Sequence, residues 1–270
     1  MSMPKTETAL KDMITLTPSA VLSLLSLCFL ALLAANTAVL FVSHALGYDI
    51  ALGLVPLFHF DFENNLPTLY SGILLVSCAA LLFVSWRIET SDKPGLHLAW
   101  LVLSFGFLFM FFDEMFGIHE MAGSLIGRRS DVPDVLHFTW LIPYLVALGI
   151  IAVALSFWFF RLDRWTQIWF AISGSIYLFG AVGMEMISGV HYSSLDPNRE
   201  EWRTLTGDLM ATFEESLEMI GLSLFIYTLS RRFLRLGRVI GVTLVRVPHR
   251  ASDVRASQRF EYANKNGGRY

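Results

Sequence analysis

The sequence predicts an all-α integral membrane protein, a bundle of six transmembrane helices with both termini in the cytoplasm. Three observations predict this fold class: the composition, the number of long apolar stretches, and the distribution of Lys and Arg. Of the 270 residues, 54 % are hydrophobic and only 16 % are charged, a balance typical of chains that cross a bilayer several times. This composition excludes an ordinary soluble globular domain.

Six apolar stretches approach or exceed the roughly 20 residues that cross a hydrocarbon core about 30 Å thick. The predicted transmembrane helices, numbered 1 to 6 in chain order, are 17–46, 66–86, 96–118, 136–160, 167–189 and 209–230. The first stretch has no convincing cleavage site, so we interpret it as a helix rather than a signal peptide. Residues 1–236 are therefore predicted to form one transmembrane domain.

Lys and Arg alternate strongly between successive connections, and the positive-inside rule converts this bias into an orientation. Basic residues precede helix 1 and lie between helices 2 and 3, between helices 4 and 5, and after helix 6. Before the last helix, the residues on this predicted cytoplasmic side are Lys5, Lys11, Arg87, Lys93, Arg161 and Arg164. Residues 237–270 are predicted to form a basic cytoplasmic tail, and the expected location is the bacterial inner membrane.

The acidic residues gather at the opposite, outer ends of the helices, and the inner half of the bundle is almost uncharged. Helices 3 and 5 run outward, so DEMFGIHE and GMEM lie at their outer ends, whereas helices 2, 4 and 6 begin at that level. Five helices from distant parts of the chain therefore present acids or histidines to one region.

Helix 6 contains the stretch EESLE, which places Glu214, Glu215 and Glu218 inside a segment that otherwise spans the membrane. Only about 12 residues, or ~18 Å of helix, separate Glu218 from Arg231, too little to cross the hydrocarbon. We expect Glu218 to face the bundle interior, because an ionised carboxylate exposed to lipid there costs about 2.5–3.5 kcal/mol. Carboxylates at this spacing repel each other unless they share protons or a multivalent cation.

Helical and extended periodicities predict which polar side chains share a face. The predicted sets are Asp113, Gly117 and Glu120 in helix 3; His137, Trp140 and Tyr144 in helix 4; and, in an extended stretch before helix 2, His59, Asp61 and Glu63.

Such carboxylate-rich surroundings with one or two imidazoles are typical of a divalent metal site. Iron or manganese suits these oxygen ligands best, and zinc bound by histidine and a carboxylate is an alternative. The candidate metal ligands are Glu63, Asp113, His119, His137, Glu185, Glu214 and Glu218. The candidate acid/base residues are Glu114, Glu120 and Glu215. The arrangement is analogous to the di-iron carboxylate bundles, although no Glu-x-x-His motif occurs.

Six helices with DExxxxHE at the end of helix 3, GxE near the end of helix 5 and EExxExxG opening helix 6 resemble an uncharacterised family of bacterial multi-pass membrane proteins. The resemblance covers about residues 60–230. It implies the six-helix membrane fold and carries no activity, substrate or cofactor.

Three functions remain open from the sequence. The first is a metal-dependent enzyme, a hydrolase or oxidoreductase, acting on a lipid or another apolar substrate. The second is a non-catalytic subunit of a membrane complex, and the third is a proton- or cation-coupled transporter. A phosphate-binding loop, a GxSxG elbow and desaturase histidine boxes are missing. We expect membrane lipids as partners, with a membrane protein under the second alternative and no nucleic acid.

Overall fold

The computed structural model describes residues 13–15, 17–89, 97–126, 133–195, 203–238 and 241–243. Residues 17–238 belong to one compact unit, which is helical throughout its described parts. Its α-helices are α1 Pro18–Leu46, α2 Leu54–Phe58, α3 Leu66–Glu89, α4 Leu98–Phe116, α5 Ile118–Ile126, α6 Leu141–Phe159, α7 Arg164–Leu178, α8 Glu185–Ser193 and α9 Leu205–Arg235. Short 3-10 helices occur at Ala51–Gly53 and Asp134–Leu136, and a π-helix, Phe179–Met184, joins α7 to α8.

Of the residues nearer the two ends of the chain, the structure describes 13–15 and 241–243, which belong to a second unit. In it, β1 (Met13–Thr15) pairs antiparallel with β2 (Gly241–Thr243), so that Ile14 lies opposite Val242. The predicted basic tail, 237–270, lies outside the described residues except for 237–238 and the short strand β2.

Within the described residues, five helical runs are long and apolar enough to cross a membrane, and they indicate a membrane protein. These runs are Pro18–Leu46, Leu66–Glu89, Leu98–Phe116, Leu141–Phe159 and Arg164–Ser193. Helix α9, the counterpart of predicted helix 6, is as long as the others. It is not one of the five because its glutamates and arginines make it too polar.

Helix α9 is central to the packing of the bundle, since it contacts α1, α3 and α7. Thr204 caps its N-terminus, where the side-chain hydroxyl accepts a hydrogen bond from the Gly207 N–H at 2.9 Å. Toward its C-terminus, Leu222, Ile226 and Leu229 are spaced three or four residues apart and are buried in the hydrophobic core. The opposite half of α9 carries the glutamates.

One end of the bundle, here called the basic end, is held together by ion pairs. Arg232 of α9 pairs with Glu89 at the end of α3, and Trp100 of α4 donates its Nε1–H to Glu89 at 2.6 Å. Arg235 lies 3.6 Å from Asp163, which caps α7. The opposite end is called the acidic end. The sequence predicts an almost uncharged inner half of the bundle, and Glu89, which lies at the basic end, is an exception to that prediction.

Helix α6 begins later than predicted, at Leu141 rather than at 136. The reason is Pro143, which lies in the first turn of α6, where its missing N–H breaks no helical hydrogen bond. A helix starting at 136 would have placed this proline in the interior. His137 therefore lies in the connection before α6, and the prediction that it shares a helical face with Trp140 and Tyr144 is wrong.

Candidate functional site

A cavity of about 560 Å³ opens at the acidic end, and it is called the acidic cavity below. Its wall comes from the 60–63 turn, α4, α5, the residues before α6, α8 and α9. The acidic residues and histidines that line it are Asp61, Glu63, Glu114, His119, Glu120, His137, Glu185, Glu214 and Glu215. Eight of the ten residues proposed from the sequence lie in this wall; Asp113 and Glu218 lie just behind it.

The deep wall of the acidic cavity is formed by α8 and α9. The carboxyl groups of Glu185 and Glu214 lie within hydrogen-bonding distance of each other. Trp140 donates its Nε1–H to Glu185 Oε1 at 3.0 Å, which fixes the orientation of that carboxyl group. Two carboxyl groups this close need a shared proton or a cation between them.

Glu218 lies one helical turn further along α9, toward the core. The Tyr177 hydroxyl of α7 is a neighbour of the Glu218 carboxyl group. Glu114 of α4 and Glu215 are electrostatic neighbours in the same region. Within the described residues, no Lys or Arg forms an ion pair with these three glutamates or with Glu185 and Glu214.

The π-helix and its glycines explain how α7 and α8 approach α9 so closely. A Cβ atom at Gly180 would lie 2.9 Å from the Glu214 carbonyl oxygen and 3.0 Å from Glu218 Cγ. A Cβ atom at Gly221 of α9 would lie 2.8 Å from the Tyr177 backbone. π-helical turns are rare and frequently occur at functional sites. This one lies immediately before Glu185.

The mouth of the acidic cavity carries Glu63, His119 and Glu120. Each offers one ligand atom, and these atoms all lie within 4.8 Å of one another, a spacing that could hold a metal ion. Burial and the neighbouring Glu120 raise the pKa of Glu63. Burial alone would lower the pKa of His119, but contact with Asp113 raises it overall.

Gly117 creates this mouth by ending α4. Its φ of +56° is left-handed and its N–H bonds back to the Asp113 carbonyl, so the chain changes direction before α5. The prediction that Asp113, Gly117 and Glu120 share one face of a continuous helix is therefore wrong. Asp113 Oδ1 instead accepts hydrogen bonds from the His119 N–H at 2.7 Å and from the Tyr144 hydroxyl at 2.9 Å.

His137 reaches the acidic cavity from the connection before α6. Its Nδ1 lies 2.8 Å from Ser193 Oγ of α8. Such a contact fixes the orientation of the imidazole ring.

The 59–65 turn differs from the extended stretch predicted before helix 2. Asp61 and Glu63 do line the acidic cavity, but His59 turns away and is fully buried. The surrounding protein and the nearby Asp208 raise the pKa of Asp61 to about 6. Asp61 was not among the proposed site residues, although its spacing of two from Glu63 already indicated it.

A second polar cluster beside the cavity could not be found by sequence reasoning. It surrounds Asp208, which is only 1 % exposed. Asp208 Oδ2 lies 2.7 Å from His44 Nε2, 2.8 Å from Arg203 and 3.3 Å from His59 Nε2. These residues come from α1, the turn after α2, the segment before α9 and α9 itself. No short-range spacing connects them.

Comparison with known proteins gives a family for this chain. A family model described as Domain of unknown function (DUF8692) matches residues 21–233. The match agrees with the resemblance to an uncharacterised family. No curated protein and no solved structure matches the chain.

Proposed function

Because the chain belongs to the DUF8692 family, whose shared domain has no known function, we propose its function from the acidic cavity. We propose that it is an integral membrane metalloprotein whose cavity carboxylates bind a divalent cation. The bound metal serves an enzymatic reaction on a lipid or another apolar substrate.

One observation carries this proposal: five glutamates with no described ion-pair partner come together from α4, α8 and α9, four of them in the wall of the acidic cavity and Glu218 behind it. They are Glu114, Glu185, Glu214, Glu215 and Glu218. Carboxylates away from water are costly unless they are protonated or neutralised by a cation. A divalent cation would neutralise two of them at once, and oxygen ligands of this kind suit iron or manganese, with zinc as an alternative.

The roles follow from the positions of the side chains. Glu185 and Glu214 are proposed as ligands because their carboxyl groups already meet, and His119 with Glu63 as ligands at the mouth. Glu218 is proposed to bind from behind the wall, where Tyr177 is its neighbour. Glu114, Glu215 and Glu120 remain the candidates for acid/base chemistry. Asp113 is proposed as a positioning residue for His119 rather than as a ligand, because its Oδ1 already accepts two hydrogen bonds.

The membrane topology is part of the proposal. We propose that α9 is the sixth transmembrane helix, because it packs against three of the other spans. The basic end, with Arg87, Arg161, Arg164, Arg231 and Arg235, would lie in the cytoplasm of a bacterial cell. The acidic cavity would then open toward the outer leaflet.

Transport is the weaker alternative. On α9, Leu222, Ile226 and Leu229 are buried between Glu218 and Arg232. The described residues therefore offer no row of acids that continues from the cavity to the basic end, as a polar route through both halves would require.

The proposal is tested by adding metal to chelator-treated, detergent-purified protein. A cation present at a hundredfold excess over its Kd stabilises the folded state by about 2.7 kcal/mol, which raises the Tm by about 5–10 °C. We expect Mn²⁺ or Fe²⁺ to produce this rise in the wild type and not in Glu214→Gln. The same Tm with and without each of these metals and Zn²⁺ would contradict the proposal.

A further inference from the structure

A single divalent cation leaves part of the acidic charge of the bundle uncompensated. Glu185 and Glu214 meet at the deep wall of the acidic cavity, and an ion between them neutralises these two. Glu114, Glu215 and Glu218 remain. Within the described residues, none of these three forms an ion pair with Lys or Arg. Carboxylates inside a membrane protein need a partner, so the remaining glutamates require protons or a second cation.

Glu114 of α4 and Glu218 of α9 face each other. Helix α4 starts at the basic end and α9 ends there, so the two helices run in opposite directions. The rings of Phe107 on α4 and Phe225 on α9 are stacked, with their centroids 5.2 Å apart. Seven residues are about two helical turns and lead back to the same face about 10 Å further along the axis. Toward the acidic end, seven residues from Phe107 is Glu114, and seven residues from Phe225 is Glu218.

Tyr177 of α7 lies beside this pair of carboxyl groups. A Cβ atom at Gly221, less than one helical turn from Glu218, would lie 2.8 Å from the Tyr177 backbone nitrogen. The Tyr177 hydroxyl is a neighbour of the Glu218 carboxyl group, and Glu114 also acts on it electrostatically. Three helices therefore bring oxygen atoms to one place.

Ser71 of α3 carries a buried hydroxyl group without a partner. The residue is only 2 % exposed, and its Oγ makes no hydrogen bond within the part of the chain that the structure describes. Ser77 and Ser85 on the same helix donate to the carbonyl oxygen four residues earlier, at 2.7 Å and 3.0 Å. Ser71 makes no such bond, so its hydroxyl is available to a ligand. A buried polar group of this kind is rare, and an ion is one of its explanations.

The hydroxyl of Ser71 lies on the face of α3 that contacts α9. Cys78, seven residues later and therefore on the same face, has its Sγ 3.9 Å from the Leu222 carbonyl oxygen of α9. Helices α3 and α9 run in the same direction, because both end at the basic end. Seven residues before Leu222 is Glu215. Ser71 is therefore level with the turn of α9 that contains Glu215 and Glu218.

The same part of α3 also contacts α4. A Cβ atom at Gly72, the residue after Ser71, would lie 3.1 Å from the Met115 Sδ atom of α4. Met115 follows Glu114 directly in the sequence. Ser71 thus lies where α3, α4 and α9 meet, beside the glutamates of the two other helices.

The donor atoms identify the ion. We call the set Ser71, Glu114, Tyr177 and Glu218 the inner site. It offers only oxygen atoms, which favour a hard cation, whereas the mouth of the acidic cavity includes an imidazole. Two carboxylates neutralise one divalent ion, and with two hydroxyl groups they supply up to about six oxygen ligands, the lower limit for Ca²⁺. Mg²⁺ usually keeps several waters, and the Ser71 Oγ is closed to water.

We propose that the inner site binds Ca²⁺ as a second cation, distinct from the transition metal of the acidic cavity, with Ser71 as one of its ligands. Glu114 then serves as a ligand, and Glu215 and Glu120 remain for acid/base chemistry. This inference goes beyond the proposed function. Binding of Ca²⁺ can be measured whether or not the cavity holds a transition metal.

The first test is calorimetry with Ca²⁺ on chelator-treated protein in detergent. It compares Ser71→Ala with Ser85→Ala, a control on the same helix whose buried hydroxyl already has a partner. We expect the Kd for Ca²⁺ to rise about 10- to 100-fold in Ser71→Ala, because a bond to a charged group is lost. The Kd for Mn²⁺ should stay unchanged, and Ser85→Ala should keep both values. Without Ca²⁺, the Tm of Ser71→Ala should equal or exceed that of the wild type, because only an unpartnered hydroxyl is removed.

The outcomes separate this inference from the proposed function. Absence of Ca²⁺ binding in the wild type, or an unchanged Kd for Ca²⁺ in folded Ser71→Ala, would overturn the inference. A parallel loss of Mn²⁺ in that variant would also overturn it, because the two ions would then share one site. A wild type that binds Ca²⁺ but no Mn²⁺, Fe²⁺ or Zn²⁺ would support the inner site and contradict the proposed function.

The second test exchanges the oxygen ligand for sulfur. In a background with Cys28 and Cys78 replaced by alanine, Ser71→Cys should lose Ca²⁺ and bind one Cd²⁺ more than the background does, because thiolates select soft ions. Ser85→Cys is the matched control and should bind no additional Cd²⁺. A serine with a purely structural role would not change the ion preference in this way. Equal Cd²⁺ binding in the two variants would overturn the inference.

Discussion

The carboxyl groups of Glu185 on α8 and Glu214 on α9 lie within hydrogen-bonding distance of each other. In the absence of metal this contact requires one shared proton. A divalent cation can take the place of that proton and bind both groups. The pair is therefore the most informative position at which to alter the site.

The first prediction concerns this pair. Glu214→Gln keeps a hydrogen-bonding partner for Glu185 but removes a charged ligand. We expect the protein to fold with an apo Tm equal to or higher than that of the wild type. Its Kd for Mn²⁺, measured by calorimetry or electron paramagnetic resonance, should rise at least about a hundredfold. Asp163→Asn, at the basic end, is the control and should leave the Kd unchanged. An unaltered Kd in Glu214→Gln would exclude this carboxylate as a ligand.

The second prediction concerns the residue behind the mouth. Asp113 accepts hydrogen bonds from the His119 N–H and the Tyr144 hydroxyl. Loss of such an orienting carboxylate typically costs 10- to 100-fold in metal affinity. We expect Asp113→Ala to have an effect of about this size and Tyr144→Phe to have a smaller one. A complete loss of metal in Asp113→Ala, with normal folding, would make Asp113 a ligand.

The third prediction concerns packing. Gly180→Ala places a Cβ atom 2.9 Å from the Glu214 backbone oxygen. This overpacking should cost about 1–3 kcal/mol. At Gly149 of α6, by contrast, an added Cβ has nothing within 4 Å, so Gly149→Ala should be neutral or stabilise the helix by about 0.5–1 kcal/mol. Thermal unfolding in detergent measures the stability of both variants. Equal changes in stability would contradict the close packing of the π-helix against α9 at Gly180.

The fourth prediction concerns pH. Burial raises the pKa of Asp163, but hydrogen bonds from Thr166 and the nearby Arg235 outweigh this effect and hold it below its ordinary value. The carboxylate thus contributes stability above an ordinary aspartate pKa of about 4, and this contribution is lost as the pH falls through the lowered pKa.

Removing the Asp163 cap of α7 by Asp163→Ala should cost about 1 kcal/mol at neutral pH. Asp163→Asn retains a side-chain oxygen that can cap α7. This variant should therefore lose only the pH-dependent part of the stability that Asp163 contributes. In unfolding experiments, the difference in stability between the wild type and Asp163→Asn should narrow as the pH falls below the ordinary aspartate pKa of about 4. A gap that is constant from pH 7 to pH 3 would contradict the role of the ionised carboxylate.

The fifth prediction concerns orientation. In a background without Cys28 and Cys78, Ser124→Cys on α5 should react with a membrane-impermeant thiol reagent added to intact cells. Gly237→Cys, beyond the basic end, should react only after the membrane is opened. The reverse pattern would place the acidic cavity in the cytoplasm.

Much of the fold could be predicted because hydrophobic length alone defines the spans. The predicted stretches at 17–46 and 66–86 became α1 and α3 with small shifts at their ends. Two of the local errors come from single residues, Gly117 and Pro143, whose backbone preferences end or delay a helix. Both residues were visible in the sequence.

The site could be predicted in part, and for a physical reason. Charges in an apolar helix have to face the interior, so Glu214 and Glu215 were predictable as members of the wall. The His44–Asp208 contact could not be predicted, because it joins residues from opposite ends of the chain through tertiary packing. The π-helix before Glu185 left no signal in the hydrophobic pattern either.

The measurement that tests the central claim most directly is the metal content of protein purified in detergent without chelators, measured by mass spectrometry. Wild type and Glu214→Gln should be prepared in parallel. The account predicts stoichiometric iron, manganese or zinc in the wild type and its loss in the variant. Wild-type protein that is folded and free of all three metals would contradict it.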